Sequence, residues 1–356
     1  MKIAFITRSL AGGGSERVVS VLANSLSENK EVSEVDIISI IEDKVTYPVN
    51  DKVKYYANAC QRNGKINRVF QRYSFLRKYL KKVNPDIVIS FCTQINIYSI
   101  LANHGMKGKL IISERNDPNR DPVQAYVRKL RNLIYKLCKN AVFQTPDAKA
   151  YFKNIIKGKK TVIMNPIKNN LPDQFVGKRE NRIVSVARLT DVKNHDLLIK
   201  AFSNILKKHP DYNLEIYGEG PEKDNLQNLI NRLGIADHVF LKGFVNNVHG
   251  EIVSAACFVL PSNYEGISNS MIEALGMGIP SVCTDCPIGG ARMMIENGVN
   301  GLLVPVGDQQ AIENAICRII EDQEFSDKLS LESVKIKDKL TPEKISREWM
   351  NFIKSI

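Results

Sequence analysis

The sequence predicts an α/β protein of two domains, each with a parallel sheet and crossover helices. Short apolar, β-branched runs alternate with longer amphipathic segments along the whole chain, which is the pattern of a parallel sheet. At 356 residues the chain is long for one hydrophobic core. A turn-rich break with the sequence NPIKNNLP, at 165–172, separates two such alternations. We therefore expect one domain at 1–168 and a second at 169–341.

In the first half, six apolar runs predict strands and five amphipathic runs predict helices. The strands are predicted at 3–7, 36–40, 87–91, 110–113, 142–145 and 161–164. The helices are predicted at 15–27, 67–82, 96–103, 122–139 and 148–155. The apolar run before Arg8 is too short for a signal peptide, so we expect it to be the first strand. No run approaches the roughly 20 apolar residues of a membrane-spanning helix.

The second half repeats the alternation. Its strands are predicted at 183–187, 213–217, 239–241, 257–260, 281–284 and 302–304. Its helices are predicted at 195–208, 222–233, 248–254, 270–276 and 309–322. A last helix at 342–356 carries Trp349, which is the single tryptophan of the chain.

The net charge of +12 is unevenly distributed. Residues 1–170 hold 30 lysines and arginines against 13 acids, whereas residues 171–356 hold 20 against 25. A basic field of this kind recruits nucleic acid or an anionic membrane. The segments 68–82 and 128–136 are basic, aromatic and amphipathic, so they are candidates for helices lying on an anionic bilayer. The alternative, crossover helices with solvated outer faces, remains open.

The seven cysteines are odd in number and lack the spacing of a disulfide framework. They therefore indicate reduced thiols in the cytoplasm. With the basic first half, this composition predicts a cytoplasmic protein that is peripheral on the inner face of the plasma membrane.

The most informative motif is PSNYEGISNSMIEALG, at 261–276. Glu265 lies in a loop before a predicted helix, and Glu273 lies about one turn inside that helix. Gly266 permits a tight bend, and Ser268, Asn269 and Ser270 are all plausible N-caps. The first N–H groups of a helix attract phosphate, and here two carboxylates bracket them. This arrangement predicts a nucleotide-sugar pocket, with one acid beside the sugar and the other beside the ribose.

Two further motifs carry charge or glycine at the ends of predicted strands. Gly12, Gly13 and Gly14 follow the first strand and permit a close backbone approach at a helix start. Arg188 ends the first strand of the second half and Lys193 follows five residues later. Two fixed cations at that position can clamp a diphosphate and neutralise charge on a leaving nucleotide.

These motifs resemble those of the retaining family-4 glycosyltransferases, over nearly the whole chain. The resemblance is carried by Glu265 and Glu273 with seven residues between them, by the following GMGIPSV at 276–282, and by GGSER at 13–17. It implies the GT-B architecture, in which two Rossmann-like domains face each other across a cleft. It also implies that helix 342–356 packs back on the first domain, which binds the acceptor, while the second domain binds the donor.

The resemblance implies a role for each matching residue. Glu265 would hold the sugar hydroxyls, Arg188 and Lys193 the diphosphate, and Glu273 the ribose. The backbone at Gly266, Ile267, Ser268 and Asn269 would contact the pyrophosphate or sugar. The loops at Gly218 and Gly243 would enclose the nucleobase. The loop at Gly12, Gly13 and Gly14 would face the donor phosphates and the acceptor.

The largest departure from the family lies after strand 110–113. Many relatives have a histidine there, but this chain reads SERN at 113–116, which places Glu114 and Arg115 at the acceptor side. That run resembles bacterial transferases that extend polysaccharides on polyprenyl-diphosphate carriers. The chain has no DxD carboxylate pair, so the cations would replace a metal, and we expect no metal and no cofactor.

Together these features predict a UDP-sugar-dependent transferase of a hexose or N-acetylhexosamine. Its acceptor would be a lipid-linked saccharide or a surface polysaccharide. One alternative is a nucleotide-sugar epimerase of the same architecture. A second is a basic RNA-binding protein, although the chain has no RNP-like aromatic motif and we expect no nucleic-acid partner.

Overall fold

The protein consists of two α/β units, each with its own parallel sheet, as the computed structural model of residues 1–58 and 64–356 shows. The predicted fold class is therefore confirmed. Unit 1 comprises Met1–Pro166 and Leu340–Ile356, and unit 2 comprises Ile167–Lys339. The division falls two residues before the boundary expected from the sequence.

Unit 1 is built on a seven-stranded sheet. Its strands are β1 (Lys2–Thr7), β2 (Glu34–Ser39), β3 (Val53–Ala57), β4 (Ile87–Phe91), β5 (Lys109–Glu114), β6 (Asn140–Phe143) and β7 (Lys159–Val162). They lie in the order β3-β2-β1-β4-β5-β6-β7, and every pairing is parallel. The chain therefore reverses direction across the sheet at β1 and β4, the place where α/β sheets bind ligands.

The helices of unit 1 cover this sheet and include the end of the chain. They are α1 (Gly14–Ser27), α2 (Lys65–Val83), α3 (Thr93–Asn103), α4 (Ala125–Tyr135), α5 (Pro146–Tyr151) and the terminal helix α13 (Pro342–Ser355). Trp349 of α13 is fully buried, with its ring centroid 5.9 Å from that of Phe91. The terminal helix is thus part of the unit 1 core.

Unit 2 is built on a six-stranded parallel sheet. Its strands are β8 (Glu180–Val186), β9 (Asn213–Tyr217), β10 (Val239–Gly243), β11 (Ala255–Leu260), β12 (Ser281–Thr284) and β13 (Leu302–Val304), in the order β10-β9-β8-β11-β12-β13. Its helices are α6 (His195–Leu206), α7 (Lys223–Leu233), α8 (Val248–Ile252), α9 (Asn269–Gly276), α10 (Gln309–Glu321), α11 (Gln323–Ser333) and α12 (Ile336–Lys339). A short 3-10 helix, Asp191–Lys193, precedes α6.

The structure corrects the sequence prediction at several elements. Strand β3 was not predicted because it is an edge strand whose two tyrosines are half-buried, so it shows no apolar run. Helix α11 was not predicted because its buried face consists largely of serines. The helix predicted at 122–139 is limited to Ala125–Tyr135. Within the described ranges, no helix is long and apolar enough to cross a membrane.

Candidate functional site

The loop between β11 and α9 brings two of the predicted site residues into contact. Lys193, at the end of the 3-10 helix, forms a salt bridge with Glu265, and both side chains are largely buried. Asn263 holds the two loops together, because its N–H donates to the Val192 carbonyl at 2.8 Å and its Nδ2 to the Asp191 carbonyl at 3.0 Å. The predicted diphosphate cation and sugar-binding carboxylate therefore belong to one charged pair.

A glycine from the next loop fixes the position of the Glu265 loop. A Cβ on Gly290 would lie 1.9 Å from the carbonyl oxygen of Gly266 and 2.9 Å from the amide nitrogen of Ile267. Only glycine permits this approach, since such distances are far inside van der Waals contact. The sequence shows Gly289-Gly290 at this position, but nothing in it indicates which loop the glycine supports.

Helix α9 begins where the motif predicts, and it buries the second glutamate. Ser268 is the N-cap residue of α9, and Ile267, Ser268 and Glu273 are all buried. Glu273 is hydrogen-bonded to His249 of α8, with Nε2 of the histidine 3.0 Å from Oε2 of the carboxylate. His249 was not predicted, because a histidine on a separate short helix carries no signal in the sequence. Its imidazole fixes the rotamer of the carboxylate that is expected to bind the ribose.

Arg188 and the two predicted nucleobase loops lie at the carboxyl ends of β8, β9 and β10. The Arg188 side chain is exposed, so it does not share the charged pair of Lys193. Gly218 has a φ of 141°, and a Cβ there would meet the Ala187 carbonyl oxygen at 2.0 Å. Its N–H donates to the Gly243 carbonyl at 2.8 Å. These glycines therefore hold three strand ends side by side.

In unit 1 the glycine loop is closed by a carboxylate of its own helix. Glu16 is buried and accepts hydrogen bonds from the N–H groups of Gly12 at 3.1 Å and Gly13 at 2.9 Å, and from the Ser9 hydroxyl at 2.9 Å. A carboxylate is stable there because the helix N-terminus is positive. The N–H groups of Gly12 and Gly13 are therefore bound by Glu16 in this structure, and the role of the loop toward the donor phosphates and the acceptor stays a prediction.

Glu114 is likewise used within unit 1. It is the last residue of β5, not a loop residue, and only 2% of it is exposed. Thr93 Oγ1 donates to both carboxylate oxygens at 3.0 and 3.1 Å, Asn96 Nδ2 donates at 3.1 Å, and the Tyr135 hydroxyl also donates. Burial is the main cause that raises the pKa of Glu114. Glu114 therefore joins β5, α3 and α4, and its predicted place on the acceptor side stays a prediction.

Arg115 follows β5 and is buried against aromatic rings, whereas Glu114 is buried among hydrogen-bond donors. Its guanidinium carbon lies 4.7 Å from the Phe91 ring centroid and 5.9 Å from that of Trp349, and Nη1 donates to Asn165 Oδ1 at 2.9 Å. Burial lowers the pKa of Arg115 to about 10, so it remains a cation at neutral pH. Its predicted place on the acceptor side stays a prediction.

One group of three side chains in the described part of the chain could hold a metal ion. The ligand atoms of His209, Cys317 and Glu321 lie within 4.8 Å of one another, between the end of α6 and helix α10. His209 Nε2 lies 2.8 Å from Glu321 Oε1, which an ordinary ion pair explains. None of the three belongs to the loops that hold Glu265 and Glu273.

Comparisons with known proteins agree in pointing to glycosyl transfer. A family model described as glycosyl transferases group 1 matches residues 167–334. A Haemophilus influenzae protein named an uncharacterized glycosyltransferase is 30% identical over 356 residues, which is 99% of each chain. A Campylobacter jejuni protein is 28% identical over 100% of this chain and 99% of its own. Its name is GalNAc-alpha-(1->4)-GalNAc-alpha-(1->3)-diNAcBac-PP-undecaprenol alpha-1,4-N-acetyl-D-galactosaminyltransferase.

Solved structures show the same fold. The Anabaena protein HepE, crystallised with UDP-glucose, superposes with a TM-score of 0.83 at 18% identity over 100% of both chains.

Proposed function

Because this chain belongs to the group 1 glycosyltransferases, we propose that it moves a hexose or N-acetylhexosamine from a UDP-sugar, with retention, to a lipid-linked or surface-polysaccharide acceptor. The observation that carries the proposal is the Lys193–Glu265 pair directly before α9, with Glu273 about one turn inside that helix and in contact with His249 of α8. A cation can bind a diphosphate, and two carboxylates can accept hydrogen bonds from the hydroxyls of a sugar and a ribose. The acceptor named for the Campylobacter enzyme and the UDP-glucose complex of HepE support the acceptor and donor classes.

In the proposed reaction, the bond between the sugar C1 and the diphosphate breaks while the acceptor hydroxyl oxygen bonds to C1 on the same face. The hydroxyl proton goes to an oxygen of the leaving diphosphate. Arg188, which is exposed, and Lys193 stabilise the charge that develops on that diphosphate. Glu265 holds sugar hydroxyls and keeps Lys193 in position before the donor arrives. No metal is needed in this scheme, because the two cations supply the positive charge.

We further propose that unit 1 binds an anionic membrane surface through α4. Five apolar side chains on and beside this helix are exposed by 51–73%, at spacings of three and four residues: Val123, Tyr126, Leu130, Leu133 and Leu137. Such spacing places them on one face of the helix. The whole segment 122–146 contains no acidic residue. An apolar stripe without acids fits an anionic bilayer, which attracts the neighbouring lysines.

The cations of this surface differ from the expected set. Arg131 is fully buried, and its guanidinium donates to the carbonyls of Asp121 and Pro118 at 2.6 and 2.9 Å. It therefore does not contribute to the surface charge. Lys129, Lys136 and Lys139 are exposed and flank the apolar stripe.

The test is a transfer assay with purified protein in the presence of EDTA. UDP-glucose, UDP-galactose and their N-acetyl forms are offered with a prenyl-diphosphate-linked saccharide, and the anomeric configuration of the product is read by NMR. We expect one UDP-sugar to give an α-linked product without metal. Conversion of the UDP-sugar to an isomer without acceptor would instead identify an epimerase. Retention of RNA at physiological salt without transfer would identify the RNA-binding alternative. The comparisons favour neither of them.

A further inference from the structure

Arg115 is a buried cation without an anionic partner. Only 7% of the residue is exposed. Among residues 1–58 and 64–356, no carboxylate lies within ion-pair distance of it. The adjacent Glu114 turns to Thr93, Asn96 and Tyr135 instead. Burying an unpaired charge costs several kcal/mol, so a lone buried guanidinium is expected only where it has a use beyond folding.

The hydrogen bonds of Arg115 leave one buried edge of the guanidinium without a partner. Nη1 is fixed by Asn165, whereas Nε and Nη2 have no partner within the described residues. Nε and Nη2 form one side of the planar fork, and two parallel N–H groups on one side bind phosphate or carboxylate oxygens in a bidentate manner. The rings of Phe91 and Trp349 hold the fork in its plane. The edge is therefore fixed before a ligand binds.

A second unpartnered donor belongs to a ring that packs near this guanidinium. The indole Nε1 of Trp349 is fully buried and has no partner in the described part of the chain, although a buried indole N–H usually finds one. The Trp349 ring centroid is 5.9 Å from the Arg115 guanidinium carbon. The unpartnered N–H groups of Arg115 and Trp349 therefore belong to one buried cluster. N–H donors of this kind favour an anion with several oxygens.

Arg115 lies at the carboxyl edge of the unit 1 sheet, which is the edge where open α/β sheets bind ligands. Arg115 follows the carboxyl end of β5, and Cys92 follows the carboxyl end of the neighbouring β4. Cys92 has a φ of 71° and a ψ of 147°, a conformation that costs a non-glycine residue about 1–3 kcal/mol. Its N–H donates to the Ser113 carbonyl at 3.0 Å, which ties the two strand ends together. Strain of this kind concentrates at ligand sites.

We infer that Arg115 binds a diphosphate through its Nε–Nη2 edge, and that in the proposed function, on which this inference rests, this is the diphosphate of a prenyl-linked acceptor. A free carboxylate would use the same edge, but the proposed acceptor class supplies a diphosphate there. Arg115 is a binding residue in this account, because it fixes the acceptor without taking part in proton transfer.

The experiment uses the single tryptophan as the probe. Trp349 emission, excited selectively, is followed during titration of the full chain with inorganic pyrophosphate, geranyl diphosphate and UDP at constant ionic strength. The variants are Arg115→Met, which keeps the packing on Phe91, and Arg115→Lys in case the first does not fold. The matched control is the double variant Arg188→Ala, Lys193→Ala, which removes the proposed donor cations.

We expect pyrophosphate and geranyl diphosphate to change Trp349 emission saturably in the wild type and in the control variant. Their dissociation constants should rise at least 10-fold in Arg115→Met and at least 3-fold in Arg115→Lys. UDP binding, followed by calorimetry, should be unaffected by either substitution. Unchanged affinity in the Arg115 variants, a response lost only in the control variant, or no saturable response in the wild type would each overturn the inference.

The two proposals fail separately. If the protein binds UDP but shows no Arg115-dependent response to pyrophosphate, the proposed function stands and this inference fails. If pyrophosphate gives an Arg115-dependent response but UDP does not bind, Arg115 binds diphosphate and the proposed function fails.

Discussion

Charged residues lie at or shortly after the ends of sheet strands in both units, but the two units use them differently. In unit 2, Lys193 and Glu265 form a largely buried ion pair, and Arg188 is exposed. In unit 1, Glu16 and Glu114 are saturated by donors of their own unit. A charged residue after a strand therefore marks a site only where the fold leaves part of its bonding capacity unused. In the SERN segment of unit 1, at 113–116, Arg115 is the residue whose bonding capacity is partly unused.

The largest expected effect tests the structural role in unit 1. Glu114→Ala should lower the free energy of unfolding by about 3–5 kcal/mol, because it leaves three buried donors without their acceptor and creates a cavity. Chemical denaturation followed by Trp349 emission measures it, since that residue lies in the unit 1 core. Glu324→Ala, at an exposed position of α11, is the control. A loss below about 1 kcal/mol would mean that Glu114 is not structural.

The next effect concerns function in unit 2. Arg188→Ala should lower turnover by about 10²–10³-fold, the usual cost of removing one donor to a developing anion. Stability should change by less than about 0.5 kcal/mol, because the side chain is exposed. The measurements are kcat with saturating UDP-sugar and the Tm. Lys328→Ala, an exposed cation of α11, is the control and should leave both unchanged. A large drop in Tm with normal turnover would show that Arg188 is structural, like the buried carboxylates of unit 1.

The charge difference between the halves leads to a third prediction. Replacing Lys129, Lys136 and Lys139 by glutamine should weaken binding to anionic vesicles by about 3 kcal/mol, at about 1 kcal/mol per cation. Sedimentation with vesicles of phosphatidylglycerol and phosphatidylcholine measures it, and UDP binding should be unchanged.

The matched control for that surface removes three exposed lysines of unit 2, namely Lys207, Lys208 and Lys328. This control variant should sediment like the wild type. Equal losses in both triple variants would show that net charge alone, not the α4 face, holds the protein on the vesicle.

The smallest effect compares the second strand of each sheet. Asp36 of β2 is fully buried, and burial raises its pKa from 3.8 to about 6. The folded state therefore binds the proton more tightly, so Asp36 lowers stability as pH rises from about 4 to about 6. Asp36→Asn should stabilise the protein at pH 8 and have little effect at pH 4. The gain at pH 8 should stay below about 3 kcal/mol, which is the free energy that corresponds to the rise in the pKa of Asp36. Unfolding at both pH values measures it; equal effects would refute it.

Glu215 of β9 should behave in the opposite way. Arg182 Nη1 lies 2.7 Å from it, the Tyr217 hydroxyl donates at 2.7 Å, and Lys242 lies at 3.6 Å. These partners outweigh burial and lower the pKa of Glu215. Its stabilising contribution is therefore present at neutral pH and is lost as pH falls through the lowered pKa. Glu215→Gln should destabilise at pH 7 and less so in acid.

Most of the fold and of the donor loops could be predicted from the sequence. Strands such as Ile87–Phe91 and Asn213–Tyr217 have the predicted bounds, because short, mostly apolar runs between turn signals indicate strands. The turn after Glu265 and the start of α9 follow from a glycine and from residue types that are common at helix N-caps, and Ser268 is the N-cap residue. Both signals depend only on neighbouring residues.

The remaining features depend on contacts between distant parts of the chain. The support of Gly266 by Gly290 and the contact of Glu273 with His249 join residues 24 apart. The burial of Arg115 between Phe91 and Trp349 requires the terminal helix to return to unit 1. No local pattern encodes these contacts, so the sequence could place these charges after strands but could not tell which remain available to a ligand.

The most direct test of the donor site is UDP binding measured by calorimetry and thermal shift, without metal. The wild type, Glu273→Ala and the exposed-glutamate control Glu324→Ala are compared with UDP, GDP and ADP. We predict that UDP binds selectively and that its affinity falls at least 10-fold in Glu273→Ala, about 1.4 kcal/mol, but not in the control. Equal UDP affinity in all three proteins, or no binding of any nucleotide, would contradict the assignment of the donor site to Glu265, Glu273 and their loop.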